Sequence, residues 1–237
     1  MIIRDLTYKQ FDALKLYKQG SESTLYIDPK NSELLLKIYP QALANKKASR
    51  DSLFAASEIR PQIQHTSLPL GEVNVEGRFR GSVLEFHRHH YPTSKFRSLP
   101  VSTQIKVLRN LIRKIKELSD NNIYHLDLAN INYQYFRDGF SSLLITKTGD
   151  AEIVSLDGNS VIYSPYSVPE QEIFMRTQTN KVVYELLRQS IESNDRQSFW
   201  KKPKDIAAKK AIISSLHDKA LYYDELNDVV GSVLTKK

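Results

Sequence analysis

The stretch Ile123-Tyr124-His125-Leu126-Asp127-Leu128-Ala129-Asn130-Ile131-Asn132 decides the interpretation of this chain. It contains the pattern H-x-D-L-x-x-x-N, in which one carboxylate is followed by one amide at a fixed spacing. Asp127 and Asn132 could cap backbone donors in a loop, as Asp and Asn side chains often do. They could also present oxygen atoms to a substrate or a cation. The surrounding sequence distinguishes these alternatives.

A second carboxylate follows downstream. Residues 153–156 are mostly apolar and end in Asp157-Gly158-Asn159, which predicts a short strand followed by a turn. Asp157 could be a plain turn residue. Between Asn132 and Asp157 lies a segment long enough for a hairpin, with strands predicted at 132–136, 143–146 and 151–156.

A long helix precedes the opening stretch. Apolar side chains recur at intervals of three and four from Val101 to Leu118, which predicts an amphipathic helix ending near Asp120. Basic residues, Lys114 among them, fill the polar positions. Residues 87–100 are polar and predict a linker, and its His87-Arg88-His89-His90 run favours a solvated linker over a metal site. Two more helical stretches are predicted at about 168–193 and 204–235.

The first ninety residues predict strands around one helix. The order is three strands (14–17, 24–27 and 34–39), a helix between Pro40 and Pro61, and two strands (70–75 and 79–86). Gly20 lies between the first two strands, where glycine permits close approach of the backbone to a ligand. Lys37 is a lone cation in an apolar strand. Burying it without an anionic partner would be costly, although an edge-strand lysine pointing to water is the alternative.

In chain order, these features resemble the protein-kinase-like superfamily, in particular its compact, atypical bacterial, phage or effector-type members. The resemblance covers roughly residues 14–187. It implies an α+β, bilobal fold with a small antiparallel-sheet N-lobe and a reduced, mostly helical C-lobe. The predicted lobes are residues 1–86 and 87–237.

The resemblance also implies a role for each matching residue. Asp127 would be the catalytic carboxylate that orients the attacking hydroxyl, and Asn132 and Asp157 would bind Mg²⁺ or Mn²⁺ on the phosphates of ATP. Lys37 would pair with the α and β phosphates and Gly20 would lie in the loop covering them. A helix glutamate would hold Lys37; Glu58 is the candidate and Asp51 the fallback. The backbone of Glu85 and His87 would bind adenine, while His125 is expected to be structural.

The sequence departs from the protein-kinase pattern at several positions. Leu126 replaces the arginine that holds a phosphorylated activation loop, which predicts that activity is not switched in that way. Asp157-Gly158-Asn159 replaces D-F-G, and Val168-Pro169-Glu170 is the nearest match to A-P-E. The activation segment is therefore expected to be short or remodelled.

Composition limits the remaining functions. The chain of 237 residues has no cysteine, which excludes disulfides and a thiolate nucleophile, and no apolar run of membrane-spanning length. We expect a cytoplasmic protein, with injection into a host cell as an effector as an alternative. A net charge of +7 attracts polyanions, but we do not expect nucleic acid as a partner. The main hypothesis is an ATP-dependent kinase acting on a protein; a small-molecule kinase and a pseudokinase scaffold are the alternatives.

Overall fold

The structure is a computed structural model of the chain. It describes residues 1–20, 23–44, 51, 55, 68–88, 90–125, 128–129, 140, 143–154, 156, 161–164, 166–194, 203–214, 216 and 219–234. The chain forms two compact units. The first comprises Met1–Arg88 with Ser155–Tyr163, and the second His89–Val154 with Ser164–Lys237.

The first unit is built on a six-stranded sheet with strand order β1-β5-β6-β4-β3-β2. Its strands are β1 (Ile2–Leu6), β2 (Lys15–Gln19), β3 (Thr24–Ile27), β4 (Leu34–Ile38), β5 (Gly71–Val75) and β6 (Arg78–Glu85). Two short helices accompany them, α1 (Tyr8–Asp12) and α2 (Gln41–Ala44). Asp51 and Ala55 are also helical, in agreement with a helix between the third and fourth predicted strands.

Strand β1 was not predicted from the sequence. It pairs in parallel with β5, whereas the other pairs in this sheet are antiparallel. A Cβ atom at Gly71 would lie 1.8 Å from the Ile2 carbonyl oxygen, so only glycine allows the two backbones to approach this closely. Thr7 then ends the strand and begins α1 with a capping box formed with Gln10.

One face of this sheet carries the apolar core of the first unit. Leu34, Leu36 and Ile38 alternate along β4 and contribute to a cluster of buried side chains from β1, β5 and β6. Phe11 and Leu14 pack against the same cluster, because α1 folds back over this face. The period-2 pattern of the strands therefore defines which face is apolar.

The second unit contains a small antiparallel sheet and several helices. Its sheet has the order β10-β9-β7. The elements are β7 (His90–Pro92), a 3₁₀ helix (Thr93–Ser98), α3 (Val101–Asp120), β8 (Ile123–His125), β9 (Leu143–Thr146), β10 (Ala151–Ile153), α4 (Pro169–Asn194), α5 (Pro203–Ser214) and α6 (Tyr223–Leu234). Strand β11 (Val161–Tyr163) belongs to the first unit. Among the helices described, none is both long enough and apolar enough to cross a membrane.

The prediction of a linker at residues 87–100 is wrong. This segment forms β7 and the 3₁₀ helix, and it buries Thr93 and Phe96. Gln104 in α3 donates its amide hydrogens to Phe96 O at 3.2 Å and Leu99 O at 2.9 Å. The buried Gln104 side chain thus donates hydrogen bonds to backbone carbonyl oxygens of this segment. The polar composition of the segment had indicated that it would be exposed to solvent.

The prediction that Lys114 lies on the polar face of its helix is also wrong. Its side chain is fully buried and donates to Ala151 O at 2.5 Å and to Glu152 Oε1 at 3.0 Å. Asp150 Oδ1 lies 3.7 Å from the same ammonium. Burial raises the pKa of the Glu152 carboxyl, and the attraction of Lys114 lowers it in part. The contacts of Lys114 therefore join α3 to β10.

Candidate functional site

Lys37 lies in β4, which corresponds to the third of the predicted strands. All five residues of β4 are buried, and Lys37 itself is only 8% exposed. Its side chain projects from the face opposite the apolar cluster, because Leu36 and Ile38 on either side belong to that cluster. Its Nζ lies 5.6 Å from the centre of the Tyr39 ring. The alternative of an edge-strand lysine pointing to water is excluded, since β4 pairs with β3 on one side and β6 on the other.

Gly20 follows β2 immediately before the turn into β3. Its N–H donates to the Ser23 carbonyl oxygen at 2.9 Å, which closes the hairpin across that turn. A Cβ atom at this position would lie 3.2 Å from the same oxygen. Glycine therefore allows a tighter hairpin than another residue would.

At the end of β6, the backbone N–H and C=O groups of Glu85 point away from β4. The Phe86 N–H donates to Glu33 O at 2.8 Å, so Phe86 faces β4. Backbone groups alternate along a strand, and those of Glu85 therefore point to the opposite edge. On that edge the Leu70 N–H donates to Val83 O, and Glu85 lies beyond this bond. The arrangement suits recognition of a planar ring by backbone atoms.

The side chains of Tyr17 and Arg88 contact Phe86, directly after the end of β6. The Tyr17 ring meets the Phe86 ring edge-on at 4.7 Å between centres. Arg88 covers Phe86, with 5.2 Å between its guanidinium carbon and the ring centre, and donates to Ser32 O at 2.5 Å. Glu85 is exposed at its side chain and His87 is half-buried. Only the backbone of these two residues was predicted to bind, so their side-chain exposure does not bear on the assignment.

The residues that flank Asp127 are anchored in the second unit. Ile123, Tyr124 and His125 of β8 are fully buried, as is Leu128. The Tyr124 hydroxyl accepts a hydrogen bond from the Val168 N–H at 3.2 Å, and the Gln178 side-chain oxygen accepts one from the Ala129 N–H at 3.3 Å. His125 is a buried strand residue, in keeping with the structural role expected for it.

Four predicted site residues lie outside the described part of the chain: Glu58, Asp127, Asn132 and Asp157. Their roles remain predictions. Leu156, directly before Asp157, is buried, and the Tyr163 hydroxyl donates to its carbonyl oxygen. The fallback residue Asp51 is helical and exposed. The described residues contain no cluster of three or more His, Cys, Asp or Glu side chains that could hold a metal ion.

Sequence reasoning missed one residue in each unit: Gln178, which contacts Ala129 in the second unit, and Glu72, which is buried on the sheet face of Lys37 in the first. Gln178 is an ordinary polar position of a helix, and nothing in its neighbours indicates that it reaches a loop about fifty residues earlier in the chain. Glu72 alternates with Gly71 and Val73, a pattern that predicts an exposed side chain, yet it is buried. The neighbouring sequence therefore indicates neither the hydrogen bond of Gln178 nor the burial of Glu72.

Comparison with known proteins supports the fold. No protein-family profile matches the sequence, and no curated protein matches it. The apo structure of a pseudokinase is similar to this chain with a TM-score of 0.61 and 11% identity, covering 98% of this chain and 97% of the other. The chain has a protein-kinase-like fold. At this identity the likeness concerns the fold alone, and the α+β class predicted from the sequence is confirmed.

The kinase-like fold accounts for the strand positions of Lys37 and Glu85 in the first unit. β2, β3 and β4, then helical residues, then β5 and β6 follow one another in the order expected for the small lobe of this fold. Lys37 occupies the third of these strands and Glu85 ends the fifth. β1 and α1 precede this arrangement at the amino-terminal end of the chain.

Proposed function

We propose that this protein is an ATP-dependent phosphotransferase that transfers the γ-phosphate to a hydroxyl group on a protein. The observation that carries the proposal is Lys37, a buried lysine on the third kinase-like strand of a chain that has a protein-kinase-like fold. A lysine on this strand of the fold is placed to pair with the phosphates of a nucleotide.

In the proposed mechanism, bound ATP supplies the phosphoryl group and Mg²⁺ or Mn²⁺ offsets its negative charge. Lys37 holds the α and β phosphates, Gly20 permits the hairpin to approach them, and the backbone of Glu85 and His87 binds adenine. Asn132 and Asp157 provide oxygen ligands for the cation, which suits a hard ion that retains several waters.

Asp127 has the chemical role in this mechanism. Its carboxylate accepts a hydrogen bond from the acceptor hydroxyl, orients it toward the phosphorus atom and takes up its proton as transfer proceeds. Such a group must be held in place to act. The buried residues on both sides of it, His125 and Leu128, support that requirement.

A protein acceptor is supported by the surface at the start of α4. Tyr166, Ile173 and Phe174 are exposed although their side chains are large and apolar. Exposed apolar side chains that lie close in sequence are more typical of a surface that contacts another protein than of one that faces only water. A small-molecule acceptor would not require them.

The alternative is a pseudokinase that binds nucleotide or acts as a scaffold. It is favoured by Asn159 in place of the usual third residue of the metal-binding segment, and the structurally similar protein is itself a pseudokinase. Retention of Lys37, Asp127, Asn132 and Asp157 favours the active enzyme instead.

The test combines binding and transfer. The protein is heated with and without ATP and Mg²⁺, then incubated with ATP labelled at the γ-phosphate and a panel of proteins. The proposal expects both thermal stabilisation and transfer. It also expects Asp127→Asn to keep the stabilisation and lose transfer by roughly a hundred- to ten-thousand-fold. Stabilisation without transfer would establish the pseudokinase alternative, and neither effect would reject both.

A further inference from the structure

Tyr17 is the extra residue of a β-bulge in β2. Leu16 pairs with Tyr26 of β3. Lys18 pairs with Leu25, the residue directly before Tyr26, so Tyr17 has no partner in the ladder. A bulge of this kind redirects a side chain, and bulges are frequent beside functional sites. The direction of the Tyr17 ring is therefore set by the bulge and not by the regular alternation of the strand.

The Tyr17 ring contacts Phe86, which directly follows β6. The two ring centres lie 4.7 Å apart with 66° between the planes, an edge-on arrangement that aromatic pairs favour. In the order of the sheet, β3 and β4 separate β2 from β6. The contact therefore crosses the sheet, whose twist brings the two rings together. It places the Tyr17 ring against the residue between Glu85 and His87, whose backbone groups are the predicted adenine contacts.

Phe86 lies on the sheet face that carries Lys37. Along β6, Val83 belongs to the apolar cluster of the opposite face, and Ser82 is paired with Lys37. Since side chains alternate between the two faces, Ser82 and Phe86 project from the face of Lys37. Tyr17 contacts Phe86 and so borders the same face. An aromatic ring and a buried lysine thus lie on one side of the sheet.

Tyr17 keeps an accessible ring although it contacts Phe86. It is 49% exposed, whereas Phe86 is half-buried. The guanidinium carbon of Arg88 lies 5.2 Å from the centre of the Phe86 ring, so Phe86 has an aromatic and a cationic neighbour. Arg88 is itself held by its hydrogen bond to Ser32 O. Phe86 is therefore a support with fixed neighbours, and Tyr17 is the ring of this pair that is open to a planar ligand.

We propose that Tyr17 is a specificity residue of the nucleotide site, which stacks on the base and favours purine over pyrimidine nucleotides. The inference rests on the proposed function. It assigns to a side chain a part of base recognition that the sequence predicted only for the backbone of Glu85 and His87. A purine has two fused rings and offers a larger stacking surface than a pyrimidine, which is the reason for the expected preference.

Affinities for ATP and for inorganic tripolyphosphate, both with Mg²⁺, test the proposal. Tripolyphosphate carries no base, so its affinity reports the phosphate part of the site alone. Tyr17→Leu keeps an apolar side chain against Phe86 and removes the aromatic ring. Loss of base–aromatic stacking lowers affinity by about five- to a hundredfold, so we expect about tenfold weaker binding of ATP and less than about twofold weaker binding of tripolyphosphate. Equal losses for the two ligands, or an unchanged affinity for ATP, would overturn the proposal.

The ratio of ATP to CTP affinity provides a second measurement. We expect the wild type to prefer ATP by about fivefold or more and Tyr17→Leu to lose most of this preference. Tyr17→Phe keeps the ring and should behave as the wild type. Leu16→Ala is the matched control, because Leu16 is an apolar residue of the same strand that is 55% exposed, and it should leave both affinities unchanged. An intact preference for ATP in Tyr17→Leu would contradict the assignment.

The same titrations separate this inference from the proposed function. A wild type that binds ATP, together with an unaltered Tyr17→Leu, would reject the role of Tyr17 and leave the nucleotide site standing. A wild type that binds neither nucleotide nor tripolyphosphate would reject the proposed function and the role of Tyr17 together. If circular dichroism shows that Tyr17→Leu does not fold, Tyr17→Met, which has a longer and unbranched side chain, takes its place in both measurements.

Discussion

The side-chain oxygen of Gln178 accepts a hydrogen bond from the backbone N–H of Ala129, with 3.3 Å between nitrogen and oxygen. Ala129 follows Asp127 by two residues, and Gln178 belongs to α4, whose Met175, Thr179 and Asn180 are buried. A helix fixed by packing therefore holds the backbone of Ala129, two residues after the predicted catalytic carboxylate in sequence. The bond links a residue that the sequence did not single out to the centre of the proposed chemistry.

Replacing Gln178 should impair turnover more than binding. Gln178→Ala removes the acceptor for the Ala129 N–H and relaxes the loop, and small misplacements of a catalytic group can lower rates by up to about a hundredfold. We expect kcat to fall by about ten- to a hundredfold while ATP affinity stays within twofold. Steady-state kinetics and nucleotide titration measure the two quantities.

Two variants control that experiment. Gln178→Glu keeps a side-chain oxygen at the same reach and should recover most of the rate. Gln189→Ala, on the same helix, removes a side chain that bonds Glu185 and should leave kcat unchanged. An unaltered kcat in folded Gln178→Ala would show that this bond does not support catalysis.

Lys37→Met should abolish most phosphoryl transfer in a protein that still folds. The methionine side chain is similar in length and removes only the charge, so packing in β4 is retained. A matched control is Lys15→Met on the exposed strand β2, which should behave as the wild type. Transfer from labelled ATP gives the activity, and circular dichroism confirms the fold. Normal turnover in folded Lys37→Met would remove Lys37 from the site.

Asp157→Ala should remove the dependence of nucleotide affinity on the divalent cation. The wild type is expected to bind ATP more tightly with Mg²⁺ than with a chelator, because the cation joins the carboxylate to the phosphates. In the variant the two affinities should converge. Asp120→Ala, which breaks an exposed pair with Lys116, should keep the difference. Equal affinities for wild type and Asp157→Ala at saturating Mg²⁺ would contradict the assignment.

Glu152 should make stability depend on pH in the mildly acidic range. Burial raises the pKa of its carboxyl above the ordinary 4.5, so between that value and the raised pKa the folded state holds more proton than the unfolded state. The free energy of unfolding therefore falls as pH rises through this window. In Glu152→Gln this part of the pH dependence should be absent. Urea unfolding of both proteins at several pH values from 4 upward measures the slopes, and identical slopes would contradict the assignment.

Periodicity predicted the regular elements because their burial follows the chain directly. The stripe from Val101 to Leu118 gave a helix that is observed at Val101–Asp120. The strands predicted around Lys37 are present as β2 to β6, in the predicted order. In α3 and β4 the apolar side chains are buried on the side that their spacing indicates, so local sequence and tertiary burial agree there. Strand β2 differs, because its Leu16 and Tyr17 are exposed.

The failures occurred where polar side chains are buried by partners in another element. Residues 87–100 have the composition of a linker, but Gln104 on the next helix donates to their carbonyl oxygens and Phe96 is buried. Lys114 occupies a polar position of its helix and nevertheless lies against Glu152. The spacing of apolar residues does not anticipate these partners, because it describes one element at a time.

The sequence by itself determined the kinase-like order of strands and helices and the residue types of the candidate site, including Lys37, Asp127, Asn132 and Asp157. It did so because motif spacing and hydrophobic period are properties of neighbouring residues. Only the tertiary structure decided that β1 adds a parallel edge strand, that Gln178 holds the loop at Ala129, and that Glu72 shares a buried row with Lys37. Each of these relations depends on strand register or helix packing, which join residues that are remote in sequence and carry no local signal.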